Sequence, residues 1–326
     1  MNVFDRAAGN VEKKKKRISS KTTLKRNSQK RERKETYIFY AFISPFIIGF
    51  SVFTIFPMVM SLIFSVNKIS ILDYAQGYWD FIGFDNYKTI LFGDNYFFIA
   101  MKNTFIFAFL RVFICVFVSL LVAVLLNSKI PGRKIFRTLI YIPAIVPVVG
   151  SSVLWRQLFD GRSSILSYFL NMIGIKVDPT LWLGQYGLYS AVFMSVIMGI
   201  GPTMIMILAA LQGVPQEMQE AAQIDGAGAL RRFWYITVPF ISSILFFVSI
   251  TGFISCLQAY AEVDLLVGSM SNSSMTLSML AMNYYRDPRI GLGYSSAISW
   301  LIFFIVMIFT IIYFAVAGKK VFYAGD

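Results

Sequence analysis

With 57% hydrophobic and 14% charged residues, this chain of 326 residues is too apolar to be a soluble domain. Its uncharged runs are long enough for helices that cross a bilayer core of about 30 Å, and they lack the alternating polarity of a β-barrel. We therefore predict an all-α, polytopic membrane protein. The formal net charge is +13, and the absence of histidine removes the commonest general base.

Six runs are long enough to be transmembrane helices. They are predicted at residues 37–66, 103–126, 139–158, 187–211, 236–260 and 293–317. A further apolar segment, 163–175, is too short to span and is predicted to be an interfacial or re-entrant helix, flanked by Arg162 and Lys176. Cys115 and Cys256 lie inside predicted spans and have no metal-ligand or disulfide spacing, so they are interpreted as packing residues.

Basic residues are concentrated on one side of the predicted spans. Residues 1–36 hold thirteen, the loop after the second span holds four, and the loop after the fourth span and the C-terminus hold two each, which makes 21 of the 30. Short loops rich in Lys and Arg stay in the cytoplasm, so both termini are predicted to be cytoplasmic, in a bacterial cell membrane.

The basic tail, residues 1–36, is predicted to be disordered and held near anionic lipid headgroups, and residues 319–326 form a second short tail. Nucleic acid is not expected as a partner, because neither a folded domain nor interleaved aromatic residues accompany the basic run.

A polar, helix-forming segment, residues 213–239, separates the fourth and fifth spans. Pro215 suits the first helical position, and Gly226 suits the left-handed conformation that ends a helix. A second short helix, 229–236, is predicted to lead to Pro239 at the membrane entrance. A membrane protein with such a structured loop is expected to use it to hold a partner.

The first of these two helices carries a small apolar stripe. Met218, Ala221 and Ala222 fall at helical spacing, and alanines on an exposed face allow another backbone to come close. Glu220 and Asp225 are placed to meet a basic partner at the rim of that contact. The alternative interpretation is an ordinary amphipathic connector.

Together with Gly226, Ile236 and Pro239, the run Glu220-Ala221-Ala222 resembles the EAA loop of permease subunits of binding-protein-dependent ABC importers. The resemblance is to the sugar-type branch, similar to the MalF-like permeases for maltose, lactose and glycerol 3-phosphate, and covers roughly residues 37–318. Other segments similar to that branch are Phe81 to Tyr87, Asn103-Thr104, Leu125 to Asn127, Gly132-Arg133, Phe136-Arg137, Pro143, Pro147, Leu154 to Arg156 and Leu211 to Pro215.

The resemblance implies the six-helix, MetI-like permease fold of type I ABC importers. It implies four kinds of partner: a second permease in a heterodimer, two cytoplasmic ATPase subunits, an extracytoplasmic solute-binding protein and membrane lipid. The residues implied to couple the chain to the ATPase are Glu220, Ala221, Ala222, Asp225 and Gly226. The chain itself is expected to bind no cofactor or metal and to have no catalytic residue, since ATP is hydrolysed by the partner subunits.

Three polar residues are candidates for the substrate pathway. Arg111 lies inside the second span, where a charge is costly; it either faces the pathway or another subunit, or it pairs locally with Glu262 or Asp264. Gln258 and Tyr260 lie at the end of the fifth span and could line a sugar route, although tyrosine is also common in the interfacial aromatic belt.

The predicted function is that of a permease subunit of an ATP-driven importer for a sugar or oligosaccharide. The same machine could carry another polar solute, such as glycerol phosphate. A stand-alone secondary transporter is less favoured, because no carboxylate lies in the middle of a predicted span and no repeat is evident. A membrane enzyme is disfavoured by the lack of histidine, of a metal-ligand cluster and of a phosphate-binding loop.

Overall fold

The computed structural model describes residues 36–128, 130–160, 164–175, 178–268, 273–288 and 291–318. The chain divides into two compact units, Met1–Ser61 and Leu62–Asp326. The predicted tails, residues 1–36 and 319–326, and the flanking charges Arg162 and Lys176 lie outside the described ranges, except for Thr36, which begins the first helix.

Most of the first described helix belongs to the first unit. Helix α1 (Thr36–Ser65) is 30 residues long and apolar enough to cross a membrane, which agrees with the span predicted at 37–66. Its apolar side chains are exposed; Phe42 is 82% accessible, as a lipid-facing side chain would be. Pro57 has no amide hydrogen to donate within the helix, and the turn just before it, Ser51–Ile55, is π-helical.

The second unit contains a small two-stranded antiparallel sheet and thirteen further α-helices among the described residues. The strands are β1 (Asn67–Lys68) and β2 (Asp80–Phe81). The helices are α2 (Ile71–Gln76), α3 (Asp85–Phe92), α4 (Asn95–Asn127), α5 (Arg133–Ile145), α6 (Val148–Phe159), α7 (Ile165–Met172), α8 (Gly187–Gln212), α9 (Gln216–Ile224), α10 (Ala229–Phe240), α11 (Ser242–Leu257), α12 (Ala261–Val267), α13 (Leu277–Arg286) and α14 (Gly291–Ala317).

The two-stranded sheet is the one departure from an all-α fold among the described residues. The buried side-chain amide of Asn86 fastens it, donating to the backbone carbonyls of Ser65 and Asn67 at 2.9 and 3.1 Å. Satisfying two carbonyls with one amide keeps the segment between α1 and α4 ordered.

The core lies between α4 and α8. Helix α4 begins eight residues before the predicted start at residue 103, because Asp94 caps it: its Oδ1 accepts from the amide of Tyr96 at 2.8 Å. Buried side chains recur every three or four residues along α4, so one face packs inward. Fully buried members of this core include Ala100, Phe107, Ala108, Ala123, Met194, Met204 and Ile207.

Four continuous helices, α1, α4, α8 and α14, are long and apolar enough to cross a membrane. Two further candidates are bent pairs, α5 with α6 at 96° and α10 with α11 at 65°, which brings the number of candidate spans to six. The predicted third and fifth spans, 139–158 and 236–260, are therefore not straight helices.

The first break has a clear chemical cause. Val146 precedes Pro147 and has an extended conformation. Because the proline ring clashes with a helical conformation of the residue before it, α5 ends at Ile145. The short apolar segment predicted at 163–175 contains α7, whose first turn is capped by the Ser164 hydroxyl accepting from the amide of Ser167 at 3.1 Å.

Candidate functional site

The polar segment between α8 and α11, residues 213–239, is called here the EAA loop. Its first helix, α9, starts at Gln216, one residue later than predicted, because Pro215 has an extended conformation and occupies the N-cap position. Glu217 lies in the first turn, where the positive end of the helix dipole stabilises its carboxylate.

Helix α9 ends as the sequence predicts. Gly226 has φ +78°, in the left-handed region that glycine adopts without steric cost. Its amide donates to the carbonyl of Gln223 at 3.1 Å, and the amide of Ala227 donates to the carbonyl of Ala222 at 2.9 Å. These two hydrogen bonds form a Schellman motif, which fixes the direction in which the chain leaves the helix.

Three side-chain hydrogen bonds hold α9 against α10. The amide of Gln219 donates to the hydroxyl of Thr237 at 3.0 Å. The Nη1 atom of Arg232 donates to the side-chain oxygen of Gln223 at 2.9 Å and to the carbonyl of Gln219 at 3.4 Å. The second helix, predicted at 229–236, continues through a π-helical turn to Phe240. The two helices therefore form one braced unit.

The face of α9 turned away from α10 is exposed. Glu220 and Ala221 lie on this face, and Asp225 and Gly226 at its end are exposed as well. No hydrogen bond or ion pair to the carboxylates of Glu220 and Asp225 is recorded within the described part of the chain. Ala222 is half-buried and lies closer to the side that faces α10, so the exposed part of the predicted stripe consists of Met218 and Ala221. The role of Ala222 in coupling stays a prediction.

Ile224 was missed by the sequence interpretation. Its side chain is 86% exposed, next to Ala221 and one turn after Glu220 on the open face. An isoleucine on a polar helix outside the apolar runs is a signal that the sequence already contained. Together with Met218, it gives this face an apolar centre rimmed by carboxylates, an arrangement suited to a protein partner.

Arg111 lies at the midpoint of the 33-residue helix α4. Its Nε donates to the hydroxyl of Ser195 on α8 at 3.4 Å, and that hydroxyl donates to a carboxylate oxygen of Glu262 on α12 at 3.0 Å. Of the two local partners considered, the structure thus connects Arg111 to Glu262, through Ser195. Glu262 follows the fifth span in sequence, yet its carboxylate reaches the network around this midpoint.

Two glycines make room for the Arg111 guanidinium. A Cβ added at Gly199 would stand 2.9 Å from Nη2, and one added at Gly252 would stand 3.5 Å from Nη1. The arginine is therefore enclosed by three helices, α4, α8 and α11, rather than directed toward lipid.

Gln258 and Tyr260 occupy different surroundings. Tyr260 is half-buried, and its hydroxyl accepts from the guanidinium of Arg286 at 2.8 Å, close to the end of α13. Gln258 is exposed and caps the end of α11. The structure therefore does not join Arg111, Gln258 and Tyr260 into one cluster.

A polar stripe on α11 was missed. Thr251 and Ser255 are exposed and precede Gln258 by seven and three residues, so the three share one face of an otherwise apolar helix. Their helical spacing was available in the sequence. A polar face on an apolar span turns toward water, a ligand or another subunit.

Cys115 and Cys256 are buried and free, as packing residues are. Across the described residues, no group of three His, Cys, Asp or Glu side chains is arranged to hold a metal ion.

Comparison with known proteins identifies the family of the chain. The family described as "Binding-protein-dependent transport system inner membrane component" matches residues 115–319. The "Probable ABC transporter permease protein YesP" of Bacillus subtilis is 34% identical over 302 residues, covering 89% of this chain and 94% of that protein. The "Arabinooligosaccharides transport system permease protein AraP" of Halalkalibacterium halodurans is 30% identical over 290 residues, covering 86% and 88%.

A solved structure shares the fold. One chain of the bacterial alginate ABC transporter, determined in complex with alginate pentasaccharide-bound periplasmic protein, superposes with a TM-score of 0.75 at 19% identity, covering 89% of this chain and 98% of that one. The chain thus belongs to the inner membrane components of binding-protein-dependent transport systems: it is a multi-pass permease of the ABC importer family and not an enzyme.

Proposed function

We propose that this permease forms, with a second and different permease chain, the pathway for a sugar or oligosaccharide, and that ATPase subunits dock on the exposed face of α9. The observation that carries the proposal is the asymmetry of α9. One face is hydrogen-bonded to α10, and the other presents Ala221 and Ile224 between the free carboxylates of Glu220 and Asp225.

This asymmetry suits a part that transmits force. When a docked ATPase displaces α9, α10 moves with it, because the hydrogen bonds of Gln219 and Arg232 hold the two helices together. Helix α10 in turn continues into α11. Movement of the loop is then passed to α11 and its polar stripe of Thr251, Ser255 and Gln258. Two-state partners and pathways are commonly linked by such rigid elements.

Sugar as the substrate class is supported by the relatives, one of which bears a name that assigns it to the transport of arabino-oligosaccharides. It is also supported by the hydroxyl and amide groups along α11, which can exchange hydrogen bonds with sugar hydroxyls. An extracytoplasmic solute-binding protein would deliver the substrate, in keeping with the description of the family.

The proposal also includes the orientation of the chain. Arg231 and Arg232 belong to the EAA loop, and Arg133 and Lys134 follow the end of α4, where Asn127 and Ser128 line one cavity with residues of that loop. By the excess of Lys and Arg in cytoplasmic loops, the side that holds these residues and both termini are cytoplasmic, which is where ATP is available.

The test uses Ala221→Trp and Glu220→Lys, with Asp80→Lys on the distant strand β2 as the charge-matched control. The bulky ring should block close approach, and the lysine should repel a basic partner that the carboxylate attracts. We expect both loop variants to insert and to retain the second permease, but to lose co-purifying ATPase and uptake, whereas the control keeps both.

Uptake is measured with labelled arabino-oligosaccharide, maltose and glycerol 3-phosphate. Transport of glycerol 3-phosphate without transport of either sugar would replace the sugar proposal by the alternative polar solute. Normal ATPase binding and uptake in both loop variants would show that the EAA loop is a passive connector.

A further inference from the structure

An open cavity of about 680 Å³ lies behind the braced side of the EAA loop. The end of α4 forms one wall, through Val124, Asn127 and Ser128. The other walls come from the end of α8 and from the two helices of the loop: Leu211, Gln212, Val214, Gln216, Gln219, Ala229, Arg232, Phe233 and Thr237. Its volume falls in the range of about 300–1,000 Å³ typical of sites for small molecules.

The polar groups of this cavity share one chemical character. Four side-chain amides and two hydroxyls converge with the guanidinium of Arg232, and none of the lining residues is a carboxylate. A second guanidinium, that of Arg137, stands close by, because its Nη2 donates to the carbonyl of Leu126, the neighbour of Asn127, at 3.3 Å. The lining of the cavity therefore carries one positive charge and no negatively charged side chain, and the amides of Asn127, Gln212 and Gln216 add further hydrogen-bond donors.

The two guanidinium groups have unused donors. The Nε atom of Arg232 is buried and makes no hydrogen bond within the described structure, and the same holds for the Nε atom of Arg137. Arginine has five N–H donors, and a buried donor without an acceptor costs free energy. The hydrogen bonds of Arg232 within the described structure use its Nη1 atom, which leaves the Nη2 atom for an acceptor oxygen of a ligand in the cavity. The two Nε atoms are covered by protein atoms, and a ligand reaches them only if the side chains shift.

We propose that this cavity binds a phosphate-bearing anion and that occupancy adjusts the position of the EAA loop. A phosphate group matches the guanidinium fork and accepts several hydrogen bonds at once from amides and hydroxyls. Two sources share this chemistry: the headgroup of an anionic phospholipid, since basic pockets between spans near the cytoplasmic face suit such headgroups, and a soluble phosphorylated metabolite.

The link to the loop follows from two shared residues. Arg232 and Gln219 line the cavity and also make the hydrogen bonds that brace α9. An anion bound to the guanidinium of Arg232 therefore competes with the side-chain oxygen of Gln223 for this donor, or reorients the guanidinium. The effect on ATP hydrolysis rests on the proposed docking of the ATPase, whereas the binding of phosphate does not.

The test measures protection of a cysteine in the complete reconstituted transporter. Ser128→Cys places an exposed thiol on the wall of the cavity, and Arg133→Cys places one outside it; the native Cys115 and Cys256 are buried. Alkylation by a maleimide is timed with three additives: dihexanoyl phosphatidylglycerol, glucose 6-phosphate, and zwitterionic dihexanoyl phosphatidylcholine as the reference whose headgroup has no net charge.

We expect at least one anionic additive to slow alkylation of Ser128→Cys about tenfold, the fall in free site at about 90% occupancy. Alkylation of Arg133→Cys should not change. Protection by phosphatidylglycerol alone identifies a lipid site, and protection by glucose 6-phosphate alone identifies a soluble ligand. Adding Arg232→Gln should abolish the protection, and adding Asn127→Leu, which touches no bracing contact, should weaken it.

The matched control is Gln223→Leu, which breaks the bond to Arg232 but does not line the cavity, so protection should persist. Equal alkylation with every additive overturns the proposal. Protection that survives Arg232→Gln overturns it as well, because the anion would then bind elsewhere. Since no ATPase activity enters this measurement, its outcome is independent of whether the ATPase docks on α9.

Discussion

The turn that ends α9 allows a sharp test of how the EAA loop works. Gly226 has φ +78°, and a side chain in that conformation costs about 1–2 kcal/mol, with a β-branched residue at the upper end. Gly228, two residues later, has φ −65° and ψ 162°, which valine adopts readily. No atom lies within 4 Å of a Cβ built at either glycine, so neither substitution makes a clash.

Gly226→Val and Gly228→Val therefore add the same side chain to the same exposed turn and differ in backbone strain. A cost of about 1–2 kcal/mol lowers the equilibrium constant between the correctly turned loop and its alternatives by a factor of about 5–30. We expect substrate-stimulated ATP hydrolysis to fall by up to that factor in Gly226→Val and to stay within about twofold in Gly228→Val.

Hydrolysis is measured on the reconstituted transporter with its solute-binding protein, normalised to the amount of permease inserted. Gly226→Asn provides a third point, since asparagine tolerates the left-handed region better than valine, and should fall between the two. Equal activity of Gly226→Val and Gly228→Val would refute the idea that the Schellman turn orients the docking face.

Further expectations concern the membrane-embedded charges, the topology and the pathway. Glu262→Gln should lower the melting temperature of the permease, because it removes the carboxylate that Arg111 reaches through Ser195. Adding Arg111→Met to the same chain should recover part of the loss, with a coupling free energy of about 0.5–3 kcal/mol. Strictly additive losses would disprove the network. A cysteine at exposed Asp85 should react with an impermeant thiol reagent in intact cells, and one at Arg133 should not. Labelling at Arg133 would show that the predicted orientation in the membrane is wrong. Gln258→Leu should slow uptake while co-purification of the ATPase is unchanged, and unaltered uptake would remove Gln258 from the pathway.

Local patterns were sufficient for three of the predicted spans and for the turn of the EAA loop, but not for the breaks in the third and fifth spans. A long uncharged run can satisfy its backbone in a bilayer only as a helix or a closed barrel, which is why α1, α8 and α14 lie within a few residues of their predictions. Gly226 ends α9 because the requirement for a positive φ is a property of a single residue. The early start of α4 also had a local signal, the capping carboxylate of Asp94, which hydropathy alone did not register.

Contacts between distant segments were decided by the tertiary structure. Two carboxylates near residue 260 were equally plausible partners for Arg111, and only the packing of α12 against α8 brings Glu262 to Ser195. Ala222 and Ile224 are both apolar residues of α9, yet Ala222 is half-buried and Ile224 is exposed. The hydrogen bonds of Gln219 and Arg232 determine which face of α9 lies against α10. The amino-acid sequence by itself determined where helices form and end, since those are local energies, whereas the faces they present depend on neighbours far away in the chain.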